Sequence, residues 1–259
     1  MAQPTALVTG ASSGIGAEFA RQLSREMDLV LVARRTDRLE ALKTEIESSG
    51  SAKCHVIGKD LGAPGAPAEV HAETEARGLE IDWLVNNAGF GTNGRFADLP
   101  LEREIEEIAL NIGSLVALTR LYLPAMLARR RGQIVNLGSV GSWVPTPYMA
   151  TYSATKAFVL SFTEAVATEV AGQGVGVLAL CPGATRTEFQ TVAGVSENVP
   201  DFTYMTAEAV VRRSIAAAKS GRRTLVPGWM NKIMIASTRL TPRPVLARIA
   251  GSMFAPKTY

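Results

Sequence analysis

The fold of this chain is decided near its start, by the stretch Thr5-Ala6-Leu7-Val8-Thr9-Gly10-Ala11-Ser12-Ser13-Gly14-Ile15-Gly16. Its first five residues form a short apolar run that is typical of a buried strand, and the run ends at Gly10. Apolar residues then recur at the helical spacing of Ile15, Phe19 and Leu23. The stretch therefore predicts a strand, a glycine-rich loop and a helix in direct succession.

The same alternation of strands and helices continues along the chain. Continuous apolar runs predict six further strands, near Leu29–Val32, Cys54–Ile57, Ile81–Val85, Ile134–Leu137, Val175–Cys181 and Thr224–Val226. Helical periodicity predicts connecting helices, near Thr36–Gly50, Ala68–Arg77, Leu101–Arg130, Tyr152–Ala171 and Ala207–Lys219. This order predicts an α/β protein with a Rossmann-type, doubly wound parallel sheet of about seven strands and helices on both faces. Because no repeat or linker interrupts it, residues 1–259 are expected to form a single domain.

The three glycines after the first strand indicate a phosphate-binding loop. Without side chains at these positions the backbone can come close to a pyrophosphate, and the N–H groups at the start of the helix stabilise its charge. We therefore predict that a dinucleotide cofactor contacts Gly10, Ser12, Ser13, Gly14, Ile15 and Gly16.

The same loop also fits a hydrolase motif. The residues from Gly10 to Gly14 read G-x-S-x-G at a strand-to-helix turn, which is the setting of a nucleophilic serine in many hydrolases. That chemistry needs a histidine late in the chain, whereas the histidines here are His55 and His71. The phosphate loop is therefore the better interpretation.

The residues after the second strand distinguish NAD from NADP. An NAD site of this fold usually has an acidic residue there, which binds the ribose hydroxyls. Here the position reads Ala33-Arg34-Arg35, and guanidinium groups bind phosphates in a fork geometry. Arg34 and Arg35 therefore predict a 2′-phosphate and so NADP(H), with a solvated arginine pair as the alternative. Asp60 and Leu61, at the end of the third strand, are predicted to meet the adenine.

A second group of residues suggests acid–base chemistry. Tyr152 and Lys156 are four residues apart on a predicted helix and project from the same face. A fixed ammonium group favours a phenolate, so Lys156 is expected to lower the pKa of Tyr152. The hydroxyl of Ser139 could hold a substrate oxygen within reach of the phenol. Tyr148 is a competing acid, but no lysine lies at the same spacing after it.

These motifs together resemble the short-chain dehydrogenase/reductase family. They are the glycine loop, Asn86-Asn87-Ala88-Gly89 after the fourth strand, Ser139 after the fifth, and Tyr152 with Lys156 on the next helix. The resemblance implies that Tyr152 is the acid–base group, that Ser139 binds the substrate carbonyl, and that Lys156 holds the nicotinamide ribose. Asn111 matches a helix asparagine that anchors a water molecule in the proton relay, while a structurally satisfied core amide is the alternative.

The resemblance also implies the remaining cofactor contacts. These are Asn87, Ala88 and Gly89 on the adenosine side, and Pro182, Gly183, Thr185 and Thr187 at the nicotinamide amide. At the last predicted strand the sequence differs from one branch of the family. Carrier-protein-linked β-ketoacyl reductases usually have an Asp-Gly-Gly-like ending there, whereas this chain continues as Pro227-Gly228-Trp229. The end of the chain is more similar to ketone, steroid-type and long-chain acyl reductases.

The resemblance implies an NADP-dependent oxidoreductase that interconverts a ketone or aldehyde and a secondary alcohol on a small-molecule substrate. The loops at the carboxyl edge include a substrate loop at about residues 184–205. They predict a hydrophobic cleft, with ordinary packing of these loops as the alternative, through Phe90, Phe96, Trp143, Tyr148, Phe189, Val192, Phe202 and Tyr204. The alternative is a sensor that binds NADP without turnover, but the intact Ser139, Tyr152 and Lys156 argue against it. The resemblance further implies a homodimer or homotetramer.

Composition and charge limit the compartment and the binding partners that we expect for this protein. Of the 259 residues 47% are hydrophobic and 20% charged, and the two cysteines lie in apolar runs that predict buried free thiols. Without a signal peptide or an apolar run of about 20 residues, we expect a cytoplasmic protein. The net charge of +3 divides into −5 for residues 1–200 and +8 for residues 201–259. No nucleic-acid motif accompanies the basic end, so no nucleic-acid partner is expected, and no metal site is predicted.

The last segment, about residues 229–259, is both apolar and basic. It predicts two short amphipathic helices separated by Pro242 and Pro244. Three interpretations stay open, in decreasing order of preference: a flap or packing on the body, a subunit interface, and contact with an anionic membrane surface.

Overall fold

A computed structural model describes residues 3–50, 52–194 and 204–255. The strands in these ranges are β1 (Thr5–Thr9), β2 (Asp28–Ala33), β3 (Cys54–Gly58), β4 (Ile81–Asn86), β5 (Gly132–Leu137), β6 (Val175–Leu180), β7 (Thr185–Arg186), β8 (Met205–Thr206) and β9 (Thr224–Leu225). Seven of them form one parallel sheet in the order β3-β2-β1-β4-β5-β6-β9. The strand order reverses between β1 and β4, which is where a ligand binds in such sheets.

Helices cover both faces of this sheet. The helices are α1 (Gly14–Leu23), α2 (Thr36–Ser48), α3 (Ala66–Ala76), α4 (Leu101–Ile108), α5 (Leu115–Ala128), α6 (Ala150–Glu169), α7 (Phe189–Ala193), α8 (Ala207–Lys219), α9 (Trp229–Thr238) and α10 (Arg243–Phe254). Helices α1, α2 and α8 share one core with alternate strand residues such as Val8 and Leu31. Helices α3, α5 and α6 share the other core with Leu7 and Val30. The predicted doubly wound α/β fold is confirmed.

The predicted helix from Leu101 to Arg130 runs from Leu101 to Ala128 and contains a π-helical turn that was not predicted. Between α4 and α5 the chain forms a π-helical turn, Ala109–Ser114, and α5 ends at Ala128. A π-helical turn holds an extra residue, so it changes which side chains face inward. Asn111 and Ser114 are buried there. The side-chain amide of Asn111 accepts the Phe90 N–H and donates to the Phe90 carbonyl.

The run Leu101–Ala128 is also long and apolar enough to span a membrane by length and composition. Its buried residues include Glu104, Glu107 and Asn111, and it packs on the sheet and on α6. Glutamates and an asparagine are costly in a bilayer core, so these contacts mark a core helix of the α/β fold.

The described parts of the predicted irregular loop after β6 contain short elements of regular structure. Strands β7 and β8 form a small parallel pair, and α7 lies between them in sequence. Phe202, predicted to line the substrate cleft, lies outside the described residues. In the C-terminal segment the two predicted helices are present as α9 and α10, and α10 begins just after Pro242.

Candidate active site and cofactor cleft

A cleft of about 440 Å³ opens at the carboxyl ends of β1, β4 and β5. It collects nearly all residues that the sequence predicts for a cofactor: Gly10, Ser12, Ser13, Gly14, Ile15, Arg34, Arg35, Asp60, Leu61, Asn87, Ala88, Gly89, Tyr152, Lys156, Pro182, Gly183, Thr185 and Thr187. Ser139 lines it as well. Residues from the whole length of the sheet edge therefore face one space, which suits an extended dinucleotide.

The glycine loop is shaped by close backbone contacts. Gly10 and Gly14 have φ angles of 65° and 56°, a region that favours glycine. At Gly16 an added Cβ would lie 2.3 Å from the Gly10 carbonyl oxygen and 2.5 Å from the Asn87 amide nitrogen. Gly16 is buried and lies behind the residues that line the cleft, so it lets the helix pack under the loop, and its predicted cofactor contact stays a prediction.

Thr9 fastens this loop to the neighbouring strand, a role that sequence reasoning missed. Its hydroxyl donates to the Val85 carbonyl at 3.1 Å and accepts the N–H groups of Asn87 and Ala88, both at 2.9 Å. The Asn87 amide in turn donates to the Thr9 carbonyl at 2.8 Å. Fixed in this way, the Asn87–Gly89 segment forms the wall opposite the loop. A polar residue at the end of an apolar strand was the available signal.

The two arginines after β2 have different surroundings. Arg35 donates to the Ser12 hydroxyl at 3.1 and 3.2 Å and to the Ser13 hydroxyl at 2.9 Å, so its guanidinium lies on the glycine loop. Arg34 lies 3.6 Å from the Asp60 carboxylate and is largely exposed. Arg35 is the better placed of the two to meet a phosphate at the loop.

Glu188 completes this group and was not predicted. Its carboxylate accepts from Arg35 at 3.0 Å and from Arg38 at 2.6 Å. Hydrogen bonds from Arg38 and then Arg35 lower the pKa of Glu188. Local sequence patterns do not indicate this contact, because Glu188 is separated from Arg35 by 153 positions.

Ser139, Tyr152 and Lys156 meet at the other end of the cleft. Ser139 follows β5 and accepts the Gly141 N–H at 3.1 Å, which caps the short 3₁₀ turn Val140–Trp143. Tyr152 and Lys156 lie in the first two turns of α6. The Lys156 ammonium is 5.7 Å from the centroid of the Tyr152 ring and donates to the Leu137 carbonyl at 2.8 Å. The phenol of Tyr152, the ammonium of Lys156 and the hydroxyl of Ser139 therefore lie together at one end of the cleft, as the sequence predicts.

The predicted lowering of the Tyr152 pKa by Lys156 is wrong for the protein alone. Burial raises the pKa of Tyr152 to about 12, and the hydrogen bond with Ser139 lowers it by less. Burial also lowers the pKa of the Lys156 ammonium to about 8. The ammonium is bound to a backbone carbonyl rather than to the phenol oxygen, which explains the weak influence. Tyr152 therefore carries its proton at neutral pH.

The ring of Tyr152 is held by residues that were not assigned from the sequence. A Cβ at Gly91 would lie 2.9 Å from the Tyr152 ring, so only glycine lets the chain pass this closely. On another side the Phe189 ring lies 5.2 Å away, centroid to centroid. These contacts restrict the ring to one position in the cleft.

Asn111 lies beneath the cleft rather than in its wall. Its amide accepts the Phe90 N–H at 3.1 Å and donates to the Phe90 carbonyl at 2.9 Å and the Thr155 hydroxyl at 3.1 Å. A Cβ at Gly89 would lie 2.7 Å from the Asn111 oxygen and 3.5 Å from the Lys156 nitrogen. These contacts correspond to the satisfied core amide, and the water-anchoring role stays a prediction.

Two buried carboxyl groups lie near this asparagine and were missed. The Thr92 hydroxyl is 2.6 Å from a Glu104 oxygen and 3.0 Å from a Glu107 oxygen, although it has one proton to donate. Glu107 also accepts the Thr92 N–H at 3.0 Å, and Glu104 accepts from Thr151. Burial raises the pKa of Glu107 to about 7. In the sequence the run Leu101–Ile108 has the composition of a solvated helix face, which hides this pair.

The apolar wall of the cleft differs in part from the predicted one. Among the described residues it is formed by Phe90, Met149, Phe189, Val192, Tyr204 and Phe254. The predicted Phe96, Trp143 and Tyr148 do not line it, and Trp143 packs against Leu160 and Cys181 instead. Phe254 belongs to α10, so the C-terminal segment closes one side of the cleft.

Comparison with known proteins agrees with this geometry. The family model for short chain dehydrogenase matches residues 4–198. A very-long-chain 3-oxoacyl-CoA reductase of Anas platyrhynchos is 33% identical over 246 residues, which cover 90% of this chain and 76% of that protein.

Two solved structures share the fold over most of their length. A short-chain dehydrogenase from Sphingobium yanoikuyae in complex with NADPH has a TM-score of 0.82 and 33% identity, and covers 92% of this chain and 94% of its own. A bulky-bulky ketone specific alcohol dehydrogenase from Comamonas testosteroni has a TM-score of 0.78 and 30% identity, over 92% and 93% of the two chains. The chain belongs to the short-chain dehydrogenase/reductase family of nicotinamide-dependent oxidoreductases.

Proposed function

We propose that this protein is an NADP(H)-dependent oxidoreductase that interconverts a hydrophobic ketone and its secondary alcohol. One observation carries the proposal: a single cleft has the glycine loop with Arg35 at one end and Ser139, Tyr152 and Lys156 at the other. The first end has the chemistry to bind a phosphorylated dinucleotide, and the second has the chemistry to protonate a carbonyl oxygen.

The residues at the loop fit an NADP(H) cofactor. The positions of Gly10 and Gly14 leave backbone N–H groups open to a pyrophosphate. Arg35 lies across Ser12 and Ser13 and is paired with Glu188, so a 2′-phosphate would take the place of the Glu188 carboxylate on this guanidinium, and the exposed Arg34 adds a second positive charge. No carboxylate occupies the position that would bind a free ribose 2′-hydroxyl after β2. These features support NADP(H) over NAD(H).

The end of the cleft with Ser139, Tyr152 and Lys156 supplies a proton and orients the substrate carbonyl group. Bound NADPH supplies a hydride to the carbonyl carbon. The Ser139 hydroxyl holds the carbonyl oxygen, and Tyr152 donates its proton to that oxygen, which gives the alcohol. The raised pKa of Tyr152, caused by burial, keeps the phenol protonated and ready to donate. Lys156, whose ammonium lies 5.7 Å from the centroid of the Tyr152 ring, would hold the ribose of the bound cofactor beside the phenol.

The substrate is proposed to be hydrophobic and larger than a simple short-chain ketone. The cleft wall beyond Tyr152 consists of aromatic and aliphatic side chains, including Phe189, Val192 and Tyr204. The related proteins named above act on very-long-chain 3-oxoacyl-CoA and bulky ketones, by their names. A long acyl or polycyclic ketone suits such a wall because its burial is favourable without specific polar contacts.

We also propose a homodimer or homotetramer that forms through α4 and α6. These two helices contact each other, and they expose Leu101, Ile105, Ile108 and Phe158. An apolar surface of this kind is more common at an interface than on an isolated monomer.

The function is tested by NADPH oxidation across ketones graded by size and polarity. We expect bulky apolar ketones to be reduced with one NADPH consumed for each alcohol formed, and NADH to support much slower turnover. Binding of NADPH without oxidation by any ketone or aldehyde in the panel would contradict the proposal and support the sensor alternative.

A further inference from the structure

The helix α9 exposes a stripe of apolar side chains. Trp229, Ile233, Ala236 and Leu240 follow the spacing that places residues on one helix face, and the chain continues as a helical turn past the end of α9 to Leu240. Trp229 is 71% exposed, Ile233 61% and Leu240 90%. Exposing three such side chains in a row to water is unfavourable, so this face is expected to have a partner.

The helix α10 repeats the same arrangement. Val245, Ile249 and Met253 are each four residues apart and exposed, while Ala250 on the adjoining face of the helix is buried. The preferred sequence interpretation is a flap over the substrate entrance or packing on the body. The residues of the two stripes do not pack on the body, whereas Phe254 of α10 lines the cleft.

Positive charges flank both stripes. Lys232 and Arg239 directly precede Ile233 and Leu240, and Arg248 precedes Ile249, so each cation lies beside the apolar face rather than opposite to it. All three are exposed. From Trp229 to Tyr259 the sequence contains five Lys or Arg and no Asp or Glu. The partner of this surface must be apolar in its interior and anionic at its boundary.

The other sides of the two helices are fixed at the cleft. Asn231 of α9 packs so closely on Gly183 that a Cβ there would lie 2.5 Å from the Asn231 amide. At the end of α10 the Phe254 carbonyl accepts from Asn93 at 3.1 Å, and the Phe254 side chain lines the cleft. The exposed stripes are therefore attached to the rim of the substrate cleft.

We propose that α9 and α10 form a docking surface for an anionic lipid bilayer. An amphipathic helix with an apolar face and flanking Lys or Arg lies in the interface of such a bilayer, with tryptophan among its preferred apolar residues. A second copy of this surface is a poorer partner, because it would bring two wholly basic segments together without a counter-charge. If the proposed function also holds, the contact brings the cleft rim to the source of hydrophobic substrates.

The test is co-sedimentation of the full chain with vesicles in low salt. We expect binding to vesicles of equal parts phosphatidylcholine and phosphatidylglycerol, little binding to phosphatidylcholine alone, and release in high salt. Trp229→Ser with Ile233→Ser, and separately Lys232→Glu with Arg239→Glu, should each weaken binding by at least about tenfold. NADPH binding, measured by fluorescence, should be unchanged in both variants and confirms that they fold.

Matched controls change other exposed residues of the same kinds. Phe96→Ser removes an exposed aromatic side chain that is not part of α9 or α10, and Arg213→Glu with Arg222→Glu reverses two exposed cations elsewhere in the basic region. Both controls should bind vesicles as the unaltered protein does. Equal sedimentation with both lipids, or equal loss in controls and tail variants, would overturn the proposal. A vesicle-free sedimentation-velocity shift to smaller particles in the Trp229/Ile233 variant would overturn it in favour of a second copy.

Discussion

The two ends of the cleft are built in different ways. At the cofactor end, Gly10 and Gly16 allow backbone to approach backbone, Gly14 leaves room for the Thr187 side chain, and Arg35 lies across the loop. At the reaction end, side chains from distant segments surround one phenol: Gly91 and Phe189 at the ring of Tyr152, and Ser139 at its hydroxyl. The first end depends on local backbone geometry, and the second on burial and long-range packing.

Because of this difference, substitutions at the two ends should affect different properties of the enzyme. A change at the cofactor end should weaken binding of the dinucleotide while leaving the chemistry of the bound complex nearly intact. A change at the reaction end should slow the chemical step while leaving cofactor affinity unchanged. The following predictions test that division.

The largest effect on cofactor binding is expected for Gly16→Ala. The new Cβ would meet the Gly10 carbonyl oxygen at 2.3 Å, so the loop must move away from its binding position. We expect the Kd for NADPH to rise by about a hundredfold, in line with the upper range of overpacking costs. Fluorescence titration measures it.

The control for this change is Gly113→Ala. Gly113 has open space around its Cβ position, so the added methyl group should leave NADPH affinity and stability unchanged. Similar losses in the two variants would refute the assigned role of Gly16.

A smaller and more selective effect is expected for Arg35→Ala. Loss of a charged hydrogen-bonding group costs roughly 1.5–3 kcal/mol, which raises the Kd for NADPH about ten- to hundredfold. NADH has no 2′-phosphate, so its affinity should stay nearly the same. Arg21→Ala, which removes an exposed arginine paired with Glu45, is the matched control. Equal weakening of NADPH and NADH by Arg35→Ala would contradict a 2′-phosphate site.

The smallest effect concerns stability near the reaction end. Burial raises the pKa of Glu107 to about 7, above the ordinary carboxyl value, so the folded state holds this proton more tightly than the unfolded state. The resulting stabilisation is fully present below the unfolded pKa and is lost as pH rises to about 7. Glu107→Gln, neutral at every pH, should therefore melt higher than the unaltered protein at pH 8 and have a flatter profile between pH 5 and 7.

Other charges near Glu107 must be considered in that experiment. Glu104 faces the same Thr92 hydroxyl, and Lys156 acts on Glu107 from α6. Because burial lowers the pKa of Lys156 to about 8, its titration lies above the window from pH 5 to 7 but overlaps the comparison at pH 8, so the slope between pH 5 and 7 is the deciding measurement. Glu106→Gln, on the exposed side of α4 and paired with Arg103, is the control and should leave the profile unchanged. Identical profiles for Glu106→Gln and Glu107→Gln would show that the buried carboxyl does not hold the proton.

The same division explains what the sequence could predict. Short-range patterns predict the strands, the glycine loop, the arginines after β2 and the spacing of Tyr152 and Lys156. Of the predicted site residues in these motifs, all except Gly16 line the cleft. The π-helical turn at Asn111 was not predicted, because it depends on contacts with Phe90 across the fold. The single domain and the cytoplasmic location stay predictions.

Residues that act through distant contacts were missed for a related reason. Glu188 reaches Arg35 only after the chain has folded, and Glu107 looks like a solvated residue until α4 packs on the Thr92 segment. The shift in the pKa of Tyr152 was predicted in the wrong direction. The spacing to Lys156 can be read from the local sequence, whereas the burial that raises this pKa depends on the complete fold. Sequence patterns therefore describe the cofactor end better than the reaction end.

The central claim is that Tyr152 supplies the proton in a reaction at this cleft. Tyr152→Phe removes that proton and keeps the ring between Gly91 and Phe189. The most direct measurement is NADPH oxidation with a bulky ketone that the unaltered protein reduces, together with NADPH affinity by fluorescence. We predict that kcat falls by about 10²–10⁴-fold while the Kd for NADPH is unchanged. Turnover that stays within about twofold of the unaltered protein, with NADPH bound, would contradict the claim.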